Sequence, residues 1–365
     1  MHADPSETYI LHKNVYPSGR RVVSERKWNS ESRFIRRGQN IWGEWVLKFK
    51  CYSFDGVNKG RNHNIQFDMY CSTNANGQCE EMPEECYFIN DGATDDDIQQ
   101  GGLGDCWFLS ALASLAVDLP DKYDSTTRRA AAQRVIQKEH NNTAIKEGGE
   151  FLFKFFRMGE WHDVAIDRVL PTSRRARPSK SNEWWVPLTE KAYAKLNGSY
   201  NNIDGGLTAW ALTELTGGVA AKMELTWEKV NDIGVEEFKA FVQKYLAKNG
   251  LFCTSNEGDG SGEAYEENGL IKGHAYSLLS IEEVETSSGT VSLVRIRNPH
   301  GGTEWNGAWS DNSAKWDEVS DEVKESIDYS NHDDGGFFMS FEDWVNEFED
   351  FTTCYITDSH DRDEE

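Results

Sequence analysis

The chain has 365 residues, of which 62 are acidic and 38 basic, so its formal net charge is −24 at pH 7. This length is sufficient for two or three domains with hydrophobic cores, and the negative charge argues against nucleic acid or an anionic membrane as the main partner. Clustered carboxylates are compatible with a solvated acidic surface and also with calcium, which prefers oxygen ligands. Composition alone does not separate these two possibilities.

The seven cysteines are odd in number and include no C-x-x-C pair, which indicates neither a disulfide framework nor an ordinary zinc site. Cys51, Cys71, Cys79 and Cys86 lie in the first quarter at loose spacing, and a metal or disulfide role for them is the less favoured interpretation. The N-terminus lacks the basic start and apolar core of a signal peptide, and no apolar run reaches membrane-spanning length. We therefore expect a cytoplasmic protein with no integral membrane segment.

Residues 1–85 are predicted to form a small β-rich extension of unknown role. The segment Trp42–Phe49 partly alternates between apolar and polar residues, as strands do. The pairs Asp55-Gly56 and Asn76-Gly77 are turn signals.

The stretch from Gln99 to Ala116 contains the strongest candidate for a catalytic residue. A glycine-broken loop leads to Asp105, a residue suited to capping a helix, and the apolar pattern that follows has helical spacing. Cys106 is thereby placed in the first turn of a buried helix, where the backbone dipole and unpaired N–H groups favour the thiolate. Gln100 lies upstream, where its amide can donate to a developing oxyanion. A structural cysteine in a core helix is the alternative interpretation.

The remaining patterns predict helices first and a sheet later. The polar, glycine-bearing segment Asn201–Gly206 is predicted to be a hinge between two lobes. Helices are predicted at 125–140, at 190–196 closed by Gly198, and at 207–215 and 235–248, and strands at 150–156, 161–167, 251–255, 274–281, 291–297 and 337–341.

The motif from Gln100 to Trp107 resembles the Q-G-x-L-G-D-C-W motif at the start of the catalytic helix in calpains, a family of cysteine proteases. Three later segments resemble calpain motifs in the same order: Glu190–Lys195 reads E-K-A-Y-A-K, Lys272–Ser277 reads K-G-H-A-Y-S, and Arg297–Gly301 reads R-N-P-H-G. The resemblance implies an α+β fold, a papain-like two-lobed core with a helical first lobe and an antiparallel β-rich second lobe. The implied division is 1–85 extension, 86–205 first lobe with the cysteine helix, 206–358 second lobe with the histidine and asparagine, and 359–365 acidic tail.

The resemblance assigns catalytic roles to Cys106 as nucleophile, His274 as proton carrier, Asn298 as the residue that orients the imidazole, and Gln100 as an oxyanion donor. The chemistry requires such a set, because an amide's leaving amine needs a proton and the imidazole must be held in one tautomer. One position departs from the family: calpains have tryptophan where this chain has His300. We expect this change to affect substrate access and the resting state.

The resemblance also implies two structural calcium ions, one in each lobe. The matching positions are Asn90, Gly92, Asp97 and Glu183 for the first and Glu304, Asp311, His332 and Asp334 for the second. A further glutamate of the second site is Gly336 here, and Asp95 stands where well-known calpains have the arginine that pairs with it. We expect weaker calcium binding and a different coupling between the two sites.

Taken together, these features predict a calcium-regulated cytoplasmic cysteine endopeptidase that cuts protein substrates to a limited extent. No nucleic-acid partner is expected, and no small-subunit partner that binds through EF-hands. Two other classes stay open: a calpain-like calcium-responsive binding or scaffold module with weak or no peptidase activity, and an acyltransferase using the same Cys-His pair. The second would more often carry aspartate as its third residue.

Overall fold

The computed structural model describes residues 86–356, apart from positions 91, 117–125, 148, 173, 180–181, 249 and 259–261. Before residue 86 it describes only the short strands Tyr9–Ile10 (β1), Lys27–Trp28 (β2), Gly38–Gln39 (β3), Trp45–Leu47 (β4) and Cys79–Glu81 (β5). Most of the predicted extension, including Cys51 and Cys71, and the acidic tail at 359–365 therefore lie outside the described residues.

The helices and strands predicted within residues 86–356 all occur there, together with several elements that the sequence patterns do not predict. The helices are Cys106–Ala116 (α1), Thr126–Ile136 (α2), Lys138–Glu147 (α3), Trp185–Asn197 (α4), Thr208–Thr216 (α5), Trp227–Ile233 (α6), Val235–Leu246 (α7), Asp321–Ser326 (α8) and Phe341–Glu347 (α9). The strands are Phe151–Arg157 (β6), Glu160–Ile166 (β7), Val169–Pro171 (β8), Val219–Glu224 (β9), Gly250–Asn256 (β10), Ala264–Tyr265 (β11), Ile271–Lys272 (β12), His274–Thr286 (β13), Gly289–Arg297 (β14), Gly336–Ser340 (β15) and Asp350–Tyr355 (β16).

Some predicted boundaries are wrong for identifiable reasons. The helix predicted at 125–140 is two helices, because Gln137 between α2 and α3 has a φ of 50°, outside the helical region. The predicted stop at Gly198 is confirmed, since this residue ends α4 in the left-handed region with a φ of 91°, and Gly217 ends α5 in the same way with a φ of 72°. Within the described residues, no helix combines the length and apolar character needed to cross a bilayer.

An antiparallel six-stranded sheet organises the second lobe, with strand order β15-β14-β13-β10-β16-β9. Ser277 of β13 lies opposite Arg297 of β14, so the beginning of β13 and the end of β14 lie side by side at the same end of the sheet. This register brings His274 and Asn298 together although 24 residues separate them. The mixed helix and antiparallel sheet architecture confirms the predicted fold class.

Two hydrogen bonds attach the cysteine helix α1 to this sheet. The hydroxyl of Ser277 donates to the carbonyl oxygen of Ser110 at 2.7 Å, and the hydroxyl of Ser114 donates to the carbonyl of Phe252 at 2.8 Å. All four residues are buried, so these bonds are shielded from water. They hold the first turn of α1 next to the first residue of β13.

Candidate active site

Cys106 begins α1, as the sequence predicts, and is buried with 8% of its surface exposed. The N–H groups of Phe108 and Leu109 donate to the carbonyl oxygen of Asp105 at 2.9 and 3.0 Å, which makes Asp105 the residue that flanks the helix. The expected side-chain cap is absent, because neither carboxylate oxygen of Asp105 accepts a hydrogen bond there. The carboxyl group faces a second buried acid instead.

That second acid is Glu190 of α4, which is fully buried and accepts a hydrogen bond from the N–H of Ala176 at 2.8 Å. Burial and the neighbouring Glu190 raise the pKa of Asp105 well above its ordinary value. Burial also raises the pKa of Glu190, to about 7. The two carboxyl groups therefore share a proton near neutral pH directly before Cys106.

His274 is held at its second ring nitrogen by Asn298. The side-chain N–H groups of Asn298 donate to the carbonyl oxygens of Gly302 and Thr303 at 3.1 and 2.7 Å, so its Oδ1 faces the imidazole. His274 Nε2 lies 2.8 Å from this oxygen and must carry the hydrogen that it donates. Both residues are buried, and Nδ1 is left to face Cys106 and its surroundings.

A carboxylate that the motifs do not reveal occupies the space in front of His274 Nδ1. Glu263 Oε1 lies 2.7 Å from this nitrogen, and the Cys106 sulfur, a Glu263 oxygen and a His274 nitrogen all lie within 4.8 Å of one another. His300 Nε2 is 3.3 Å from the same carboxylate, and its ring packs edge-on against His274 with centroids 4.5 Å apart. Glu263 therefore bridges the two histidines beside the thiol.

This arrangement explains the charge states at the site. Partial burial of Glu263 would raise its pKa, but hydrogen bonds from His274 and His300 outweigh burial and hold it well below its ordinary value. Burial lowers the pKa of His274, while its contact with Glu263 acts in the opposite direction. Burial, together with the nearby Glu263 charge, raises the pKa of Cys106 to about 12 in spite of a hydrogen bond from the backbone of Ala275. The expected thiolate is therefore a neutral thiol in this arrangement, because burial outweighs the helix dipole.

Gln100 is buried on the loop before α1 and ties the two lobes together through its backbone. Its N–H donates to the carbonyl oxygen of Pro299 at 2.7 Å, and Pro299 directly follows Asn298. Its side-chain Nε2 donates to the carbonyl of Leu103 at 2.8 Å, which fixes the amide on the turn that leads into Cys106. The predicted catalytic residues Gln100, Cys106, His274 and Asn298 thus lie close together.

Comparison with known proteins agrees with this geometry. The model of the calpain family of cysteine proteases matches residues 76–355. The chain is 38% identical to calpain-9 of Rattus norvegicus over 287 residues, which cover 77% of this chain and 39% of that protein. It is also 38% identical to the calpain-2 catalytic subunit of Gallus gallus over 74% of this chain and 37% of the relative. For calpain clp-4 of Caenorhabditis elegans the identity is 38%, over 74% and 36%.

The chain belongs to the calpain family. It spans less than two fifths of the length of these curated relatives. Its matched region is a calpain cysteine protease domain, and the predicted family membership is confirmed.

In this calpain domain, several acids of the second lobe crowd one another. Asp311 is 7% exposed, and neither of its carboxylate oxygens meets a hydrogen-bond donor. Burial, followed by the neighbouring Glu304 and Asp334 charges, raises the pKa of Asp311 to about 8. His332 lies in the same loop as Asp334, and its carbonyl oxygen accepts a hydrogen bond from the N–H of Asp334. Buried carboxylate oxygens without donors are suited to a hard cation such as calcium.

The acids matched to the first calcium site are arranged differently. Glu183 is fully buried and accepts a hydrogen bond from the N–H of Asn90. Asp97 accepts hydrogen bonds from Trp185 Nε1 at 2.9 Å and from the N–H of Thr94 at 3.0 Å. Because Trp185 is close to Glu183 in sequence, the hydrogen bond from Trp185 to Asp97 brings Asp97 near the segment that contains Glu183. These carboxylates already have protein donors.

The lobes are also joined by an ion pair that the family motifs do not suggest. Arg297 at the end of β14 is fully buried, and its Nη1 lies 3.0 Å from Asp96 Oδ1. Its Nη2 donates to the carbonyl oxygens of Asp96 and Ile98, both at 3.3 Å. Asp95 and Gly336 take no part in these bonds, and the neighbouring Asp96 provides a connection between the two lobes.

Proposed function

We propose that this calpain domain is the core of a calcium-regulated cysteine endopeptidase that makes limited cuts in proteins. Its two lobes would correspond to residues 86–205 and 206–358. The observation that carries the proposal is the meeting of Cys106 on one lobe with the His274–Asn298 pair on the other. The free state of all four described cysteines is consistent with action in the cytoplasm, as proposed.

In the proposed reaction, the Cys106 sulfur attacks the carbonyl carbon of the scissile peptide bond. His274 Nδ1 takes the thiol proton and later gives it to the leaving amine, while Asn298 keeps the imidazole in the required tautomer. The N–H of Cys106 and the side-chain amide of Gln100 would stabilise the oxyanion. Water then hydrolyses the acyl-enzyme with His274 as the general base.

Glu263 is part of this proposal because it faces the nitrogen that has to receive the thiol proton. While its carboxylate accepts a hydrogen bond from Nδ1, that nitrogen is not available to Cys106. The described arrangement therefore corresponds to a resting enzyme. For activity, Glu263 has to withdraw so that Nδ1 and the sulfur form a direct hydrogen bond.

Calcium is proposed to act structurally at two groups of residues. Glu304, Asp311, Asp334 and the carbonyl of His332 would hold one ion, and Asp97, Glu183 and the carbonyls of Asn90 and Gly92 would hold another. The ion supplies positive charge that offsets the repulsion among buried carboxylates. The donor-free oxygens of Asp311 most directly support the group that contains Glu304 and Asp334.

The test is hydrolysis of casein by the full chain with calcium, with magnesium in its place, and with a chelator. Cys106→Ala is compared with Cys86→Ala, which removes a half-buried thiol elsewhere in the chain. We expect calcium-dependent cleavage that is lost in Cys106→Ala and retained in Cys86→Ala. Cleavage that persists in Cys106→Ala would refute the assigned nucleophile.

A calcium-responsive binding module is the second candidate. The contact of Glu263 with both His274 and His300 favours it, since burial of Cys106 and the Glu263 charge beside it together keep the thiol neutral. It predicts calcium binding by calorimetry without cleavage of casein at any calcium concentration. That combination of results would refute the endopeptidase and support the binding module.

A further inference from the structure

Four side chains that can each bind a metal ion converge at the junction between the lobes. The sulfur of Cys106, a carboxylate oxygen of Glu263 and a ring nitrogen of His274 lie within 4.8 Å of one another. His300 adds a fourth donor, because its Nε2 lies 3.3 Å from the Glu263 carboxylate. The cluster offers one sulfur, two imidazole nitrogens and one carboxylate oxygen.

We propose that Cys106, Glu263, His274 and His300 form a binding site for a zinc ion, separate from the calcium sites. Zinc takes four ligands of this kind in a tetrahedron, with bonds of about 2.0–2.3 Å, so its ligand atoms are about 3.3–3.8 Å apart. Side-chain rotations that bring the four donor atoms closer together would satisfy this geometry. Calcium is a poor match, since it prefers six to eight oxygen ligands.

The residue behind His274 supports a metal site independently of the four ligands. A zinc-bound histidine usually donates its other ring N–H to a fixed oxygen, which sets the tautomer and directs the free lone pair at the metal. Here Asn298 Oδ1 accepts from His274 Nε2 at 2.8 Å, and two backbone carbonyls hold the Asn298 amide in that orientation. Once Nδ1 has released its proton, its lone pair would therefore point into the cluster.

The consequence for activity rests on the proposed function. A zinc ion in this site would hold the Cys106 sulfur and His274 Nδ1 together, so the nucleophile and the base would both be occupied. Zinc would then be a reversible inhibitor that a chelator removes. His300 distinguishes this mode from simple binding to a reactive thiol, because its loss should weaken zinc without removing the nucleophile.

The experiment measures metal binding directly. The full chain, saturated with calcium, is titrated with zinc against a chromophoric chelator, and with cobalt(II) to record the near-ultraviolet sulfur-to-cobalt absorption band. We expect one zinc per chain that is lost in Cys106→Ala, and an affinity at least about tenfold lower in Glu263→Gln and in His300→Phe. The matched controls are Glu267→Gln, an exposed acid on the other side of β11, and Cys86→Ala. Neither control should change the zinc affinity.

The outcomes separate this site from the proposed endopeptidase. Zinc affinity that is equal in the wild type and Cys106→Ala, or a cobalt complex without the sulfur band, would overturn the site even if casein is cleaved. Zinc affinity unchanged in both Glu263→Gln and His300→Phe would also overturn it. A sulfur-bound cobalt complex in a protein that never cleaves casein would establish the site and refute the endopeptidase. Circular dichroism of each variant checks that it is folded.

Discussion

The buried pair Asp105 and Glu190 makes the stability of this domain sensitive to pH in a way that one substitution should remove. Glu190 is fully buried, and burial raises its pKa from 4.5 to about 7. An acid with a raised pKa binds more protons in the folded state, so the free energy of unfolding falls as the pH rises from 4.5 to about 7. The full loss corresponds to about 3 kcal/mol.

Glu190→Gln should abolish this loss with little change in shape. The glutamine oxygen can still accept from the N–H of Ala176, and its amide can donate to Asp105. We expect the wild type to lose about 3 kcal/mol more than the variant between about pH 5 and about pH 9. The assay is urea unfolding in a chelator, followed by tryptophan fluorescence.

Glu160→Gln is the matched control, because it removes the same charge from an exposed position. Its pH dependence should follow that of the wild type. If Glu190→Gln and the wild type lose stability in parallel, Glu190 does not carry the proton that the structure implies.

Three further predictions concern the site and the lobe junction. Asn298→Ala should lower kcat for a peptide substrate by about a hundredfold with little effect on KM, because the imidazole loses its fixed tautomer; an unchanged kcat contradicts this role. Asp311→Asn should raise the Tm of the calcium-free protein at neutral pH, because it relieves repulsion among the buried carboxylates. It should also remove the increase in Tm that calcium produces in the wild type, and thermal melts with and without calcium measure both effects. Arg297→Met should cost about 2–4 kcal/mol in urea unfolding, because the buried carbonyl of Ile98 and the partly buried carbonyl of Asp96 lose their donor, whereas Asp96→Asn should cost less than about 1 kcal/mol, because that carboxylate is exposed. An equal loss of unfolding free energy in Arg297→Met and Asp96→Asn would refute this reasoning.

The residues that carry the chemistry could be predicted from sequence where they occur in short motifs. Cys106 is recognisable from the loop, the cap position and the apolar helix around it, and His274 and Asn298 from the segments beside them. The sheet register then explains why these last two meet, since each lies at the end of a strand and the strands are antiparallel neighbours.

Glu263 could not be predicted in the same way. It lies in an acidic, glycine-rich loop, where a single glutamate has no spacing that separates it from a solvated surface. Its contact with His274 depends on how this loop folds back across eleven residues. The protonation of Cys106 is equally hard to predict from sequence, because its pKa depends on burial and on the charge of Glu263, which is distant along the chain.

Asp105 illustrates a further limit of local patterns. Its sequence position correctly predicts the start of the helix, but its side chain turns toward Glu190 on α4, far along the chain. The break at Gln137 is similar, since the residues around it have good helical propensity and only the backbone conformation reveals two helices. Local propensity thus located elements, while tertiary contacts determined side-chain partners.

The central claim is that His274 activates Cys106, and selective alkylation tests it most directly. The full chain with calcium is treated with one equivalent of iodoacetamide, and the modified cysteine is identified by mass spectrometry. Among the four cysteines whose side chains the structure describes, Cys86 alone is not buried, so without activation it would be labelled before Cys106. We predict label on Cys106, with this preference lost in His274→Ala. Preferential labelling of Cys86 in the calcium-bound wild type would contradict the account.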